Sequence, residues 1–207
     1  MKNNTNPNIW FTADTHFGTD SNNILKREMR PFANTAQYAD EQVKIWNQQV
    51  GKDDFVYVIG DFCNYNGEEK DYMGGLAISR LLNGNIILLT GNSEERVIAE
   101  KFDGDFYKFR DMLINSPIFN FHEVKKNEYT HICGQKFFLT HKPIDHDKQY
   151  PTLFGHFHRA GGLWRPYGLN VGVDLNHFRL YSSYDIIDLM EQKHRWWDGD
   201  PDNNCFD

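Results

Sequence analysis

The chain has 207 residues, a formal charge of −7, and apolar and charged shares of 40% and 25%. Such a chain is long enough to bury a substantial core, and its charge excludes a broad basic surface for gripping duplex nucleic acid. No apolar run has the length of a bilayer span or a signal peptide, so the sequence reads as soluble and cytoplasmic, with no membrane partner.

Met1 to Pro7 is polar and asparagine-rich and is expected to be flexible, as is the tail at 198–207. Residues 9–13 form a short apolar run of the kind that makes a buried strand. Residues 14–31 show no regular pattern. From Thr35 onward Ala39, Val43, Trp46 and Val50 mark one face of a helix, with Thr35 as N-cap and Gly51 at its end. Residues 55–59 predict a second strand running into Gly60-Asp61, and a short helix is expected over 76–82. After the turn Asn83-Gly84-Asn85, residues 86–89 predict a third strand ending at Thr90-Gly91-Asn92. Residues 94–109 read as helix, interrupted near Asp103-Gly104.

The pattern then becomes β-rich at 118–124, 129–133 and 136–140, with Lys125-Lys126-Asn127 and Gly134-Gln135 reading as hairpin turns. Short strands at 152–154 and 169–173 follow. Ser182, with Asp185 at capping-box spacing, opens a last helix reaching about Lys193. Three cysteines, Cys63, Cys133 and Cys205, lack C-x-x-C spacing and form an odd set, which fits thiols in a reducing compartment. The βα alternation followed by a β-rich half predicts one α/β domain over 1–207. Its expected form is a four-layer α-β-β-α sandwich of two mixed sheets flanked by helices.

Groups of metal-ligand type stand directly behind these apolar runs: Asp14-Thr15-His16, Gly60-Asp61, Gly91-Asn92, His141, and Gly155-His156-Phe157-His158. Strand carboxyl ends are where open α/β sheets gather ligand-binding groups. Taken singly, Asp14, Asp61 and Asn92 read equally as turn or cap residues. In combination they say more. Residues i and i+2 of an extended chain point to one side, so Asp14 with His16, and His156 with His158, can each face one ion. A carboxylate such as Asp61 can bridge two ions, and the amide oxygen of Asn92 is a hard donor. Two carboxylates, one amide and four imidazoles suffice for two ions sharing Asp61, and no thiolate cluster of the structural-zinc kind is present. The set in this order points to a two-metal phosphoesterase.

On these residues the chain resembles the calcineurin-like metallophosphoesterases, whose pattern is D-x-H, G-D, G-N-H-[DE], H and G-H-x-H. The run Thr12-Ala13-Asp14-Thr15-His16-Phe17-Gly18, with Arg30-Pro31-Phe32 behind it, is similar to a small bacterial and phage branch of that family. The resemblance extends from about Trp10 to Leu189. It implies one ion on Asp14, His16, Asp61 and His158 and another on Asp61, Asn92, His141 and His156. It also implies Asp61, Asn92 and His156 at the catalytic centre and a hydroxide bridging the ions as nucleophile. Manganese is the first choice of cofactor, with iron, magnesium or zinc as alternatives.

There is one departure. Ser93 stands where the family has the histidine associated with protonating the leaving group, and a hydroxyl cannot supply an imidazolium proton. His131 and His177 are candidates for that role or else structural, and Thr19 sits where close relatives often carry a further histidine. The expected substrate is a small phosphodiester of nucleotide or cyclic-nucleotide type. Ser93, Arg27, Arg30 and Arg159 are candidates to bind it, Arg165 lies near the same loops, and Trp164 and Tyr167 are candidates to stack on a base. The alternatives are a phosphomonoesterase or nucleotide pyrophosphatase on the same site, or a binding module of this fold without turnover.

Overall fold

The computed structural model describes residues 7–19, 23–164 and 168–195. Apart from Pro7, the two termini expected to be flexible lie outside these residues, as do Cys205, Arg165, Tyr167 and the side chain of Trp164.

The apolar runs become strands β1 (Ile9–Thr12), β2 (Phe55–Ile59) and β3 (Asn85–Leu89), and β4 (Phe121–Lys125) joins them in parallel. A second sheet contains β5 (Glu128–Ile132), β6 (Gln135–Leu139), β7 (Thr152–Phe154), β8 (Leu163–Trp164) and β9 (Gly168–Asn170). The last strand, β10 (Tyr181–Ser182), returns antiparallel to β1. The strand orders are β10-β1-β2-β3-β4 and β5-β6-β7-β9-β8. Both sheets mix parallel and antiparallel pairs.

Alternation along β2 explains the layering. Val56 and Val58 face one way, into a core with Trp46, Tyr72, Leu76, Val97 and Phe109. That core draws on helices α1 (Ile24–Arg27), α2 (Thr35–Gln49), α3 (Glu69–Ala77), α4 (Asn92–Lys101) and α5 (Phe106–Asn115) and on the loops around them. Tyr57 and Ile59 face the other way, against Phe137, Leu139, Leu153 and Leu169 of the second sheet. A last helix, α6 (Ser183–Arg195), contributes Ile186 and Met190 to that inter-sheet core. The two mixed sheets flanked by helices are thus as expected. No helix among the described residues is long and apolar enough to cross a membrane.

Several local expectations change. Asn34, not Thr35, caps α2, its Oδ1 accepting from Gln37 N at 2.9 Å. The helix ends on an extended Val50, before Gly51 is needed. The helix expected at 76–82 begins earlier, at Glu69, and tightens into a 3₁₀ turn at Ile78–Leu81. Lys125-Lys126-Asn127 is not a hairpin turn. β4 pairs with β3 and β5 with β6, so this segment carries the chain from one sheet to the other. The hairpin between β5 and β6 instead turns at Cys133 and Gly134, whose φ values of 47° and 85° are those of a type I′ turn. The capping box opening α6 is present: Ser182 N donates to Asp185 Oδ2 at 2.7 Å and Asp185 N donates to Ser182 Oγ at 3.1 Å.

Asp54 ties the start of β1 to the loop before β2. Its oxygens accept from Asn8 N (2.8 Å), Trp10 Nε1 (2.9 Å) and Gly51 N (2.9 Å). Burial raises its pKa, but these donors outweigh it and hold the carboxyl below the usual range. A group depressed in this way stabilises the fold above its unfolded pKa and loses that contribution as pH falls through the folded value. Asp54→Ala is therefore expected to cost about 2 kcal/mol at pH 7 in urea unfolding. The gap from wild type should narrow below about pH 4; a gap that widens in acid would contradict this.

Candidate metal centre

Beyond β1 and β2 the two chains keep pairing as they leave the sheet. Asp14 N donates to Gly60 O (3.1 Å), His16 N to Asp61 O (3.0 Å) and Phe17 N to Phe62 O (2.8 Å). Five of the seven expected ligands adopt left-handed backbone: Asp14 (φ 57°), His16 (49°), Asp61 (54°), His156 (74°) and His158 (48°). That conformation costs a non-glycine residue roughly 1–2 kcal/mol, and its concentration here marks a site whose side chains are aimed by the surrounding packing. The backbones come close together. A Cβ on Gly155 would stand 2.6 Å from Asp14 Oδ2, and one on Gly60 would collide with the His141 ring.

All seven side chains converge. Ligand atoms of Asp14, His16 and His158 lie within 4.8 Å of one another, and so do those of Asp14, Asp61 and His141. His16 Nε2 is 3.6 Å and His141 Nε2 3.5 Å from Asp61 Oδ2, and the rings of His16 and His158 stack at 5.0 Å. His156 N donates to both oxygens of Asp14, at 3.1 and 2.9 Å, across 142 residues of sequence. His156 packs edge-on against His141 at 5.3 Å, and its Nδ1 lies 3.1 Å from the Asn92 amide.

Both ring nitrogens of His16, and Nε2 of His141, are buried without a hydrogen-bond partner. Bare imidazole nitrogens beside two buried carboxylates suit a divalent cation. The buried groups also shift one another's titration. Burial raises Asp14 to about 6 and lowers His16 to about 3. Burial also opposes charge on Asp61 and His141, but their proximity wins: Asp61 is held well below the carboxylate range and His141 is raised to about 9.

A further set of groups holds these side chains in place. Glu94 is fully buried and accepts from Asp61 N (2.9 Å), Phe62 N (3.1 Å) and Gly91 N (2.8 Å), fixing the loop after β2 against the start of α4. Ser93 N donates to Asp61 Oδ1 at 2.8 Å. His141 Nδ1 lies 2.9 Å from Ile59 O, leaving Nε2 to face the ligands. His158 Nδ1 meets Asp174 Oδ2 at 3.1 Å, and Asp174 is gripped by Arg30 through two bonds of 2.8 Å. Burial works against charge on Asp174, but His158 and Arg30 outweigh it and bring its pKa to about 2.

This network corrects one expectation. The Arg30 side chain has no exposed surface, and its remaining donors go to Asp14 O (2.7 Å) and Thr15 O (3.1 Å). It orients the ligand loop and does not reach substrate. Asp174 itself is missing from the sequence reading, although it stands behind an apolar run as Asp61 does.

Above the ligands lies an open cleft of about 380 Å³, lined by His16, Asp61, Asn92, Ser93, His156 and His158. Arg27 borders it as expected; Tyr65 and Arg96 also do, and carried no local signal. Arg159 is not among its lining residues; it is exposed and donates to Met29 O at 3.0 Å. His131 and His177 are both exposed and do not line the cleft. His131 borders a groove beside Ile9 and Trp10, at the opposite end of β1 from Asp14.

A model of the family described as calcineurin-like phosphoesterase matches residues 7–203. An uncharacterised protein of Methanocaldococcus jannaschii is 28% identical over 187 residues, covering 89% of this chain and 92% of its own length. Among solved structures, a protein of unknown function from Aquifex aeolicus superposes with a TM-score of 0.60 at 20% identity, over 89% of this chain and 100% of the other. That likeness speaks to the fold. An archaeal phosphodiesterase superposes with a TM-score of 0.45 at 17% identity, over 84% of this chain and 98% of the other.

Proposed function

Since the chain belongs to the calcineurin-like phosphoesterase family, we propose that it is a two-metal phosphodiesterase acting on a small diester of nucleotide or cyclic-nucleotide type. The observation that carries this reading is the pair of buried ligand clusters, Asp14 with His16 and His158 and Asp14 with Asp61 and His141, beneath an open cleft that His16, Asp61 and His158 line. In this reading Asp14, His16, Asp61 and His158 hold one divalent ion. Asp61, Asn92, His141 and His156 hold the other, and manganese is the ion we place first. Such ions supply Lewis-acid polarisation of phosphate oxygens and a lowered pKa for water. A cytoplasmic setting belongs to the same reading, with Cys63 and Cys133 as free thiols.

The protein's own groups do the positioning. Arg27 and Arg96 present guanidinium groups at the rim of the cleft, where their planar forks suit phosphate oxygens. Each is partly neutralised by a carboxylate, Arg27 by Glu28 and Arg96 by Glu100, at 2.8 and 2.7 Å. Ser93 lies in the cleft where relatives have a proton-donating histidine. That favours diesters, which carry less charge than monoesters and require less electrostatic help.

The manganese-loaded protein is expected to hydrolyse bis-p-nitrophenyl phosphate several-fold faster than p-nitrophenyl phosphate. Absence of turnover on the diester with manganese, iron and magnesium alike would remove the reading. Faster turnover of the monoester would replace it with a phosphomonoesterase on the same site. Ser93→His is expected to raise kcat/KM on the monoester by about a hundredfold, the low end of what a positioned general acid supplies. No gain would mean that protonation of the leaving group is not limiting.

A further inference from the structure

His141 Nε2 stands 3.5 Å from Asp61, which lines the first cleft. His141 also borders a second cleft of about 480 Å³, larger than the first and within the usual range for small-molecule sites. We propose that this second cleft binds the esterified group of the substrate, and that this group is a flat, heteroatom-bearing ring system of nucleoside size. The proposal rests on the phosphodiesterase reading and specifies its substrate.

Three features carry it. The first is adjacency: His141 borders the second cleft and stands 3.5 Å from Asp61, which lines the first, so the two openings are one side chain apart. The second is mixed chemistry. Ile98, Phe106 and Phe138 supply apolar wall, while Thr140 and Asn127 supply hydrogen-bonding groups. Flat heterocycles need that combination, since their faces are apolar and their edges carry donors and acceptors. A bare phosphate needs neither.

The third is charge. The chain is acidic overall, at −7, and this cleft is bordered by two lysines together with the carboxylates of Glu95 and Asp145. Lys142 is paired with Glu95 at 2.6 Å, whereas Lys126 Nζ stands 5.3 Å from the centre of the Phe106 ring. Lys126 arrives here because its segment crosses between the sheets and does not close a hairpin. The crossing places a cation and an aromatic ring beside the same opening.

Calorimetric titration of the manganese-loaded protein tests this, with adenosine 5′-monophosphate, ribose 5-phosphate and inorganic phosphate as probes. The expected result is that adenosine monophosphate binds at least tenfold more tightly than either of the others. Ala99→Trp, an exposed position on α4 bordering the second cleft, should reduce that ratio to about twofold or less by filling the space. Lys126→Glu should reduce it several-fold. Equal affinities in the wild type, or an undiminished ratio in Ala99→Trp, would overturn the proposal. The two readings fail separately. A protein that cleaves the nitrophenyl diester without preferring the adenosine probe keeps its activity and loses this cleft. One that prefers the probe but cleaves nothing keeps a ring-binding cleft and loses the phosphodiesterase reading.

Discussion

Asp61→Asn is expected to lower turnover of bis-p-nitrophenyl phosphate by about a thousandfold or more, well beyond the 10–100-fold typical of residues that only support metal ligands. Asp61 is the carboxylate that both His16 and His141 approach, at 3.6 and 3.5 Å, and its other oxygen is held by Ser93 N. Asparagine retains an oxygen for the Ser93 bond, so the loop should stay in place while the negative charge and the bridging capacity are lost. Manganese content measured by mass spectrometry should fall in parallel. A variant within tenfold of wild type and fully loaded with metal would show that Asp61 is not shared between ions.

The largest effect on stability is expected from Arg30→Met. Arg30 and Asp174 are paired through two bonds of 2.8 Å with neither side chain exposed. A buried pair of this kind adds little net stability relative to apolar residues, but removing one partner leaves a desolvated charge behind, at a cost of roughly 3–5 kcal/mol. The carbonyl of Asp14 would also lose its donor, and that of Thr15 would keep only the Tyr38 hydroxyl. Urea unfolding at neutral pH in the presence of a chelator should report this loss apart from metal binding. The double variant Arg30→Met with Asp174→Leu should recover a good part of it, because no charge then remains unpaired. Even so, metal affinity should fall about 10–100-fold, since His158 has lost the carboxylate that orients it. A single variant less than 1 kcal/mol below wild type would mean that water reaches Asp174.

Much of the candidate site is legible in the sequence because its grammar is local. A run of apolar residues is a strand wherever it packs, and the polar group behind it is carried to the strand's end. That is how Asp14, Asp61, Asn92, His141 and the histidines at 156 and 158 are found one group at a time. Asp174 follows the same rule after β9 and was legible in principle; the run before it, ending Asn170-Val171-Gly172-Val173, contains less obvious strand. Arg96 and Tyr65 give no such signal, because a surface arginine on a helix looks the same whether it faces solvent or a cleft.

Arg30 shows the reverse failure. Near a phosphate site an arginine reads as a phosphate ligand, and nothing within several residues reveals the acid that claims it. Its partner lies 144 positions away. The lysine segment after β4 fails for a related reason: short apolar runs separated by polar residues look like a hairpin, while the choice of pairing strand belongs to the whole sheet.

What the sequence by itself determined, then, is most of the strands and the longer helices, the identity of the seven ligand-type side chains and their position at strand ends. Periodicity, turn chemistry and capping act over a few residues, so they survive without the rest of the molecule. Only the tertiary structure decided which strands share a sheet, that Arg30 is buried against Asp174, and that five of the ligand-type side chains fall into two clusters meeting at Asp14. Each of these depends on packing between segments separated in sequence, by 144 residues for Arg30 and Asp174, where burial and desolvation, not local preference, select the partner.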